Sequence, residues 1–421
     1  MSRAPVRVAV LGAGTVGGEV VRGLRELGER LAPFDGGRLE LTAIAVRDVD
    51  AARERGLPIE LLTDAPAHLV ASPDIDVIVE LMGGDEPAHT LIAAALAAGK
   101  PVVTANKHVL AHHGPELESI ARRQGVPLRF EAAVAGGIPV LSPLGSDLAA
   151  NRITRVRGIV NGTTNYILSA MAEEGRSYDD VLADAQELGY AEADPSGDVE
   201  GHDAVNKLVI LARLAFGRWL EPGSIVAAPP RARGEGRPGI TGVTDQEVEG
   251  AEALGLTIKL LATVTRDGER IVASVVPTAV PAESPFGWTD GVTNRIEIEA
   301  EPLGRVRLAG PGAGGSATSS AVLGDLLAVA RGMPSTWAGL PPATAPAELA
   351  GHGLDVARHW YAFVPPVEST ELPPALDEAA SVGFEEGTAL RTEAVSLAEA
   401  RAAFDTILPP GADVTLYPVD D

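Results

Sequence analysis

Asp203 and Lys207 stand four residues apart, so a helix through them would carry a carboxylate and an ammonium on one side. The residues that follow (Leu208, Val209, Ile210, Leu211, Leu214, Ala215 and Phe216) are apolar almost all round, which predicts a buried helix. A buried helix that opens with an Asp/Lys pair reads as the floor of a cleft, where a lysine can serve as acid or base. The competing reading is a helix-surface ion pair with no chemistry. The segment leading in is rich in acidic side chains (Glu192, Asp194, Asp198, Glu200) and turns at Asp194-Pro195-Ser196-Gly197.

A second cluster lies at the start of the chain. Residues 6–11 read as a buried parallel strand, then Gly12-Ala13-Gly14-Thr15-Val16-Gly17, then helical spacing over 16–27. Strand, G-x-G-x-x-G and helix together predict dinucleotide binding: the glycines allow a tight turn, close approach to a pyrophosphate and helix–strand packing. The second strand, 39–46, ends in Arg47-Asp48. An acidic residue there suits the ribose hydroxyls of NAD and an arginine the 2′-phosphate of NADP; Arg47 comes first, so NADP is favoured with NAD as the alternative.

Further strands are expected at 76–82, 102–107 and 128–133, with a helix at 87–98. Lys107, at the carboxyl end of its strand, either faces the cofactor or is a solvated lysine at a helix start. The loop Val134–Pro139 near Glu131 offers main-chain oxygens that suit a hard cation, or is only a glycine-rich bend. Beyond residue 138 the character changes. A strand at 153–160 ends in Asn161-Gly162-Thr163-Thr164-Asn165, a loop that meets a ligand or caps the helix 166–172. A helix at 178–188 follows, and the strands 258–265, 270–280 and 293–308 alternate partially, as in an antiparallel sheet covered by helices. The loop 310–315 is glycine-rich and precedes a helix at 317–331; it acts as a hinge or returns the chain to the nucleotide. Residues 340–346 are a linker by composition, and the acidic tail beyond has apolar patterns at 360–364, 400–408 and 414–419 that predict a folded segment.

Composition narrows the class. A chain of 421 residues with 45% hydrophobic and 22% charged residues fits a soluble protein of two or three domains. A net charge of −24 argues against nucleic acid and anionic membrane as partners, which need basic patches. The absence of cysteine removes disulfides, thiolate metal sites and a Cys nucleophile. With no run of membrane-spanning length and no room for a signal peptide before residue 6, a cytoplasmic protein is expected.

Taken in order, Gly12-x-Gly14-x-x-Gly17, Val103-Thr104-Ala105-Asn106-Lys107, Asn161–Asn165, Gly189-Tyr190-x-Glu192-x-Asp194-Pro195 and Asp203-x-x-x-Lys207 resemble the homoserine dehydrogenases, with a match running from about residue 6 to 331. The resemblance implies an α/β architecture: a Rossmann-type dinucleotide-binding domain (1–137, completed by 310–335), an α+β catalytic and dimerisation domain with a mixed sheet (138–309), a linker (336–350) and a small α+β C-terminal domain (351–421). It implies reduction of L-aspartate 4-semialdehyde to L-homoserine with NAD(P)H, in threonine, methionine and isoleucine biosynthesis, by a homodimer or higher homo-oligomer. By matching positions, Lys207 is the acid/base, Glu192 and Asp203 contact the substrate, and Lys107, Gly189, Thr15, Val16 and Gly312 or Gly314 lie against the cofactor. A structural sodium-type cation would use Glu131, Val134, Gly136 and Ile138. With no kinase portion before the first strand, the single-activity form is expected. The tail resembles a ligand-sensing ACT domain in its latter half; its first half departs at Pro365–Thr370 and lacks a central strand, which puts threonine inhibition in doubt. The tail is expected to fold separately and to be dispensable for chemistry.

The residues agree with that chemistry. Glu192 and Asp203 can hold an α-ammonium by charge-assisted hydrogen bonds. Lys207 can hydrogen-bond an aldehyde oxygen and supply its proton, and Lys107 can do likewise. An aspartate-semialdehyde dehydrogenase would need a Cys nucleophile and is excluded. The remaining rivals are another Rossmann carbonyl or imine reductase, and a dinucleotide- or amino-acid-sensing regulator without turnover.

Overall fold

The computed structural model describes residues 4–31, 38–337, 339–343, 345–347, 349, 351, 353–366, 373, 376 and 380–420. Its strands in chain order are β1 (Val6–Leu11), β2 (Leu39–Ala45), β3 (Leu62–Thr63), β4 (Val77–Glu80), β5 (Val102–Thr104), β6 (Leu128–Arg129), β7 (Arg152–Ile159), β8 (Pro230–Arg231), β9 (Gly234–Glu235), β10 (Leu256–Asp267), β11 (Arg270–Pro281), β12 (Thr293–Glu301), β13 (Gly304–Pro311), β14 (Trp360–Val364), β15 (Ala380–Gly383), β16 (Thr388–Arg391) and β17 (Tyr417–Pro418). The chain forms two compact units: Met1–Arg152 with Val209–Pro222 and Gly310–Glu348, and Ile153–Leu208 with Gly223–Ala309 and Leu349–Asp421. These boundaries differ from the four segments expected. The tail counts with the second unit, and the division falls inside the helix His202–Phe216.

The first unit is built on a sheet of order β3-β2-β1-β4-β5-β6 with parallel pairing throughout. That is the doubly wound order, in which ligands sit beyond the carboxyl ends of the strands. Val8, Val10, Ile44, Val77, Val79 and Val103 bury the sheet faces against Val20 and Leu24 of the helix Thr15–Leu31 and Val322 and Leu326 of the helix Gly315–Ala330. The late helix thus completes the early fold. Two expected boundaries move. β5 ends at Thr104, and Lys107 opens the helix Lys107–Gln124, capped by Asn106. β6 ends at Arg129, and Glu131–Ala133 form a 3₁₀ turn instead of strand. The cause is the Glu131 carboxylate, which accepts from the amides of Val140, Leu141 and Ser142 and so bends the chain back on itself.

The second unit carries a sheet of order β11-β10-β7-β12-β13, in which β10 pairs antiparallel with both β11 and β7. Residues 293–308 are two strands, not one: Pro302 and Leu303 separate β12 from β13, and Gly304 turns the chain at φ 86°. Pro cannot donate to a ladder, so the strand stops there. The tail forms a sheet of order β15-β16-β14-β17, all antiparallel. β15 lies at the edge of this sheet, so it is not the central strand that the sequence reading found lacking. Residues 367–370 of the divergent turn, and 338, 344, 348 and 350 of the expected linker, lie outside the described residues. The tail shares its core with the rest of its unit: Trp360, Phe404 and Leu416 pack with Ala232 and Val276. The Tyr361 hydroxyl donates to the Glu247 carbonyl, and the Asp420 amide to Ala279 O.

Candidate active site

The helix His202–Phe216 is buried through Leu208, Val209, Ile210, Leu211, Ala212, Leu214 and Phe216, as its apolar run predicts. Lys207 is buried with it, at 7% exposure. Its ammonium donates to Asp203 Oδ2 at 2.7 Å and to the Val160 carbonyl at 2.6 Å. An ammonium that deep needs such partners, and the carboxylate keeps the charged form favourable. Asn161, next to Val160, ties the cluster together: its Nδ2 donates to Asp203 Oδ2 at 2.9 Å and to Asp198 Oδ1 at 2.7 Å. Its Oδ1 accepts from the Thr164 amide and caps the helix Gly162–Glu174. The 161–165 segment is therefore the cap and first turn of a helix, not a loop. Burial pushes the Asp198 carboxyl above its ordinary range against the opposing Asn161 hydrogen bond, and the Asp203 charge adds to the rise. The result is a buried lysine flanked by two carboxylates on one amide.

Glu192 lies on the exposed connection after the helix Tyr178–Glu187, its carbonyl accepting from Gln186 Nε2 at 3.0 Å. Gly189 holds φ 75°, the left-handed conformation that ends the same helix. Asp194 closes its turn by accepting from the Ser196 amide at 3.1 Å.

In the first unit the glycine motif joins β1 to the helix Thr15–Leu31. A Cβ on Gly12, at φ 93°, would lie 2.7 Å from the Leu81 carbonyl group, and one on Gly17 would lie 2.0 Å from Gly12 O. The chain's own packing demands both. At Gly14 a Cβ would meet nothing within 4 Å, so the opening there suits the backbone approach of a pyrophosphate. Thr15 and Val16 follow as the first residues of the helix, whose amides point to such an anion. A cavity of about 570 Å³ is lined by Gly12, Gly14, Arg47, Asp48, Leu81 and Glu86, among others. Asp48 caps the helix Val49–Glu54, accepting from the Ala51 amide at 2.9 Å, while Arg47 is exposed at the cavity edge. These donors fit a dinucleotide.

Lys107 follows a braced strand end. Glu80 is fully buried, accepting from Thr104 Oγ1 at 2.6 Å and the Met82 amide at 2.8 Å, and burial raises its carboxyl. Asn106 Nδ2 donates to Gly84 O at 2.9 Å. The loop before the helix Gly315–Ala330 returns to the nucleotide motif: a Cβ on Gly315 would lie 3.2 Å from Thr15 O. Of the two roles open to it, this one fits its position. Gly314 caps that helix at φ 107°, and a Cβ on Gly136 would lie 2.8 Å from Gly312 O. Gly136 (φ 43°) and Ala135 (φ 55°) make the bend between Val134 and Ile138 that the cation reading uses.

Two residues of these clusters, Asp198 and Arg55, carry no role in the sequence reading, and Asn161 carries more than the role read for its loop. Asp198 was one acidic residue among several, and only the fold sets it beside Asn161. Asn161 carried a capping signal, which holds, but no sign of its two aspartate partners. Arg55 donates to Ala13 O at 3.0 Å, steadying the glycine loop from a helix 42 residues away.

Comparison with known proteins identifies the family. A homoserine dehydrogenase NAD-binding-domain model matches residues 12–131 and a homoserine dehydrogenase model matches residues 139–327. The homoserine dehydrogenase of Mycobacterium tuberculosis is 49% identical over 332 residues, covering 78% of this chain and 73% of that one. That of Corynebacterium glutamicum is 42% identical over 400 residues, 92% of this chain and 85% of its own. A crystal structure of a homoserine dehydrogenase from Thiobacillus denitrificans superposes with a TM-score of 0.87 at 35% identity, covering 100% of this chain and 99% of that one. A hyperthermophilic archaeal homoserine dehydrogenase in complex with NADPH superposes at 0.65 with 28% identity, over 78% of this chain and 99% of its own. The chain belongs to the homoserine dehydrogenase family, an oxidoreductase that reduces L-aspartate 4-semialdehyde to L-homoserine.

Proposed function

We propose that Lys207 is the acid/base of this reaction, that Asp203 and Glu192 hold the substrate ammonium with Asp198 beside them, and that NADP is preferred over NAD. The observation that carries the reading is the buried Lys207 ammonium, 2.7 Å from Asp203 Oδ2, with Asn161 joining Asp203 to Asp198. A dinucleotide held by Gly12, Gly14, Thr15, Val16, Gly17 and Arg47, with Gly189, Gly312 and Gly314 as further contacts, supplies the hydride. Lys207 hydrogen-bonds the aldehyde oxygen, stabilises the charge that develops there and gives it a proton. Asp203 keeps the lysine charged and oriented. Lys107 is the alternative proton donor.

A structural monovalent cation fits the bend at Val134–Ile138 through the main-chain oxygens of Glu131, Val134, Gly136 and Ile138. The Glu131 carboxylate, already accepting three amides, would brace the site. The resemblance in the sequence motifs implies action in threonine, methionine and isoleucine biosynthesis, as a homodimer or higher homo-oligomer in the cytoplasm, with an ACT-like tail. The test is homoserine-dependent reduction of NADP and of NAD, assayed side by side for the wild type and Lys207→Met. A wild type that prefers NAD, or a variant with near-normal turnover, overturns the corresponding assignment.

A further inference from the structure

One face of the second unit's sheet turns polar where the tail covers it. On β10, Thr263 and Thr265 point to the same side; Ser274 of β11 stands opposite Thr263, and Arg155 of β7 opposite Thr265. Directly opposed side chains lie about 4.5–5.5 Å apart at Cβ, so three hydroxyls and a guanidinium form one continuous patch. Residues 353–358 and 418–420 of the tail lie over it and leave a cavity of about 380 Å³.

This cavity has donors to spare. Arg155, Arg266 and Arg358 line it, against the carboxylates of Asp267 and Asp420. Both carboxylates are already engaged: Asp267 with Arg270 at 3.1 Å, and Asp420 with Arg155 at 2.8 Å and with Arg157. Arg155 gives only Nη2 to Asp420. Arg358 donates through Nη2 to the Gly353 carbonyl and through Nε, at 3.5 Å, to that of Val356, and its guanidinium lies 5.9 Å over the Trp360 ring. Nε and Nη1 of Arg155, Nη1 of Arg358 and the hydroxyls of Thr263, Thr265 and Ser274 have no partner among the described residues. Burial and the nearby Arg155 charge push the Arg358 guanidinium below its ordinary value, against the pull of Asp420 and Asp355. Two cations are thus held within range of each other.

The geometry points to a binding site for an oxyanion of phosphate type, held between Arg155 and Arg358 with the hydroxyls of Thr263, Thr265 and Ser274 as further donors. Arginine forks suit carboxylates and phosphates alike. The donors select between them: five side chains offer more N–H and O–H groups than the two oxygens and roughly four lone-pair sites of a carboxylate can use. A tetrahedral oxyanion accepts from more directions. Val272, Leu354 and Val356 give the cavity an apolar side for an organic substituent, and its volume is that of a small-molecule site. The anion ties β7 and β10 to the tail and offsets the repulsion between the two guanidiniums. The site shares no residue with the glycine motif or the Lys207 cluster, and does not depend on the roles proposed for them.

The test titrates the full chain with inorganic phosphate by calorimetry, with a nicotinamide dinucleotide at saturation so that the cavity beside Gly12 and Gly14 is filled. Sodium chloride of equal ionic strength controls for screening, and acetate probes for carboxylates. One phosphate per chain is expected, with a rise in Tm beyond that in chloride. Arg358→Gln should weaken binding by roughly 10–100-fold, as loss of a charged hydrogen-bonding group does. Thr263→Val/Ser274→Ala, which keeps every charge, should weaken it by roughly tenfold, and it decides the matter if Arg358→Gln unfolds at a lower temperature in chloride. Absence of saturable binding, or phosphate affinity that survives in both variants, overturns the site. A rise in Tm that persists in both is the general effect of an excluded anion and overturns it too. Acetate binding as tightly as phosphate overturns the assignment to phosphate.

Discussion

Lys207→Met replaces the ammonium with an apolar side chain of similar reach and leaves two partners behind: the Val160 carbonyl and the Asp203 carboxylate. If the lysine stabilises the alkoxide and delivers its proton, kcat should fall by roughly 10²–10⁴-fold, as for other positioned acids and bases. That corresponds to about 2.7–5.4 kcal/mol of transition-state stabilisation. The side chains of Lys207 and Asp203 are 9% and 11% exposed, so the pair counts as buried. Removing one member of a buried pair costs about 3–5 kcal/mol, and the lower end applies because Asn161 still donates to Asp203. For a domain of this size about 3 kcal/mol lowers Tm by about 6–12 °C. The two effects separate in the double variant Lys207→Met/Asp203→Asn: with no charge left buried, Tm should recover while kcat stays low. The assays are homoserine oxidation at saturating NADP, Kd for NADP by fluorescence, and thermal unfolding. A folded Lys207→Met with turnover within a few-fold of wild type refutes the reasoning and moves the proton to Lys107. A large loss in Kd for NADP would instead assign Lys207 to the nucleotide.

Arg47→Asp should raise KM for NADP far more than for NAD, because Arg47 is exposed at the cavity edge while Asp48 is engaged as a helix cap; equal losses contradict a 2′-phosphate contact. Glu118→Ala should be among the most damaging substitutions outside the site. It strips Arg213, at 0% exposure, of its carboxylate and Trp219 Nε1 of its acceptor. The cost is about 3–5 kcal/mol, read as a Tm lower by about 6–20 °C, and a shift of only a degree or two would show that the core repacks around it. Asp198→Asn tests the raised carboxyl. Protonation favours the fold, so this stabilisation is complete below the ordinary value of 3.8 and is lost as pH rises through the raised one. The Tm of the wild type minus that of the variant should therefore fall as pH rises across that window, and a flat or rising difference contradicts burial as the cause.

Much of this was legible because short-range rules decided it. The glycine motif declares a strand, a turn and a helix within a dozen residues, and the Asp203–Lys207 spacing needs only helical geometry. Asn161 was legible as a cap for the same reason. Its second task was not, since Asp198 and Asp203 reach it only after the strand β7 and two helices have packed. β15 and the split at Pro302 were missed where pattern was weak and pairing decided the outcome. The tail is expected to fold separately because every candidate catalytic residue lies before Arg331, but it counts with the second unit, where Arg155 and Arg157 on β7 pair with Asp420.

Those pairs bear on how Lys207 is held. β7 runs through Arg157 to Ile159, and the next two residues supply the Val160 carbonyl and the Asn161 amide that meet Lys207, Asp198 and Asp203. Arg157 is anchored on one side by Glu297 of β12, Nη2 to Oε1 at 2.7 Å, and on the other by Asp420. Burial alone would raise the Glu297 carboxyl, yet Arg157 and Arg307 together hold it below its ordinary range, so the charges are matched and not merely buried. In the role proposed for it, Lys207 needs acceptors on a rigid element, and a central strand of the sheet provides one. The ion pairs of Arg157 lie only three residues from the acceptor, too few for the strand to flex between them. The end of the tail therefore braces the same strand that presents the acceptor to Lys207, and its sequence answers to the geometry of that site as well as to its own core.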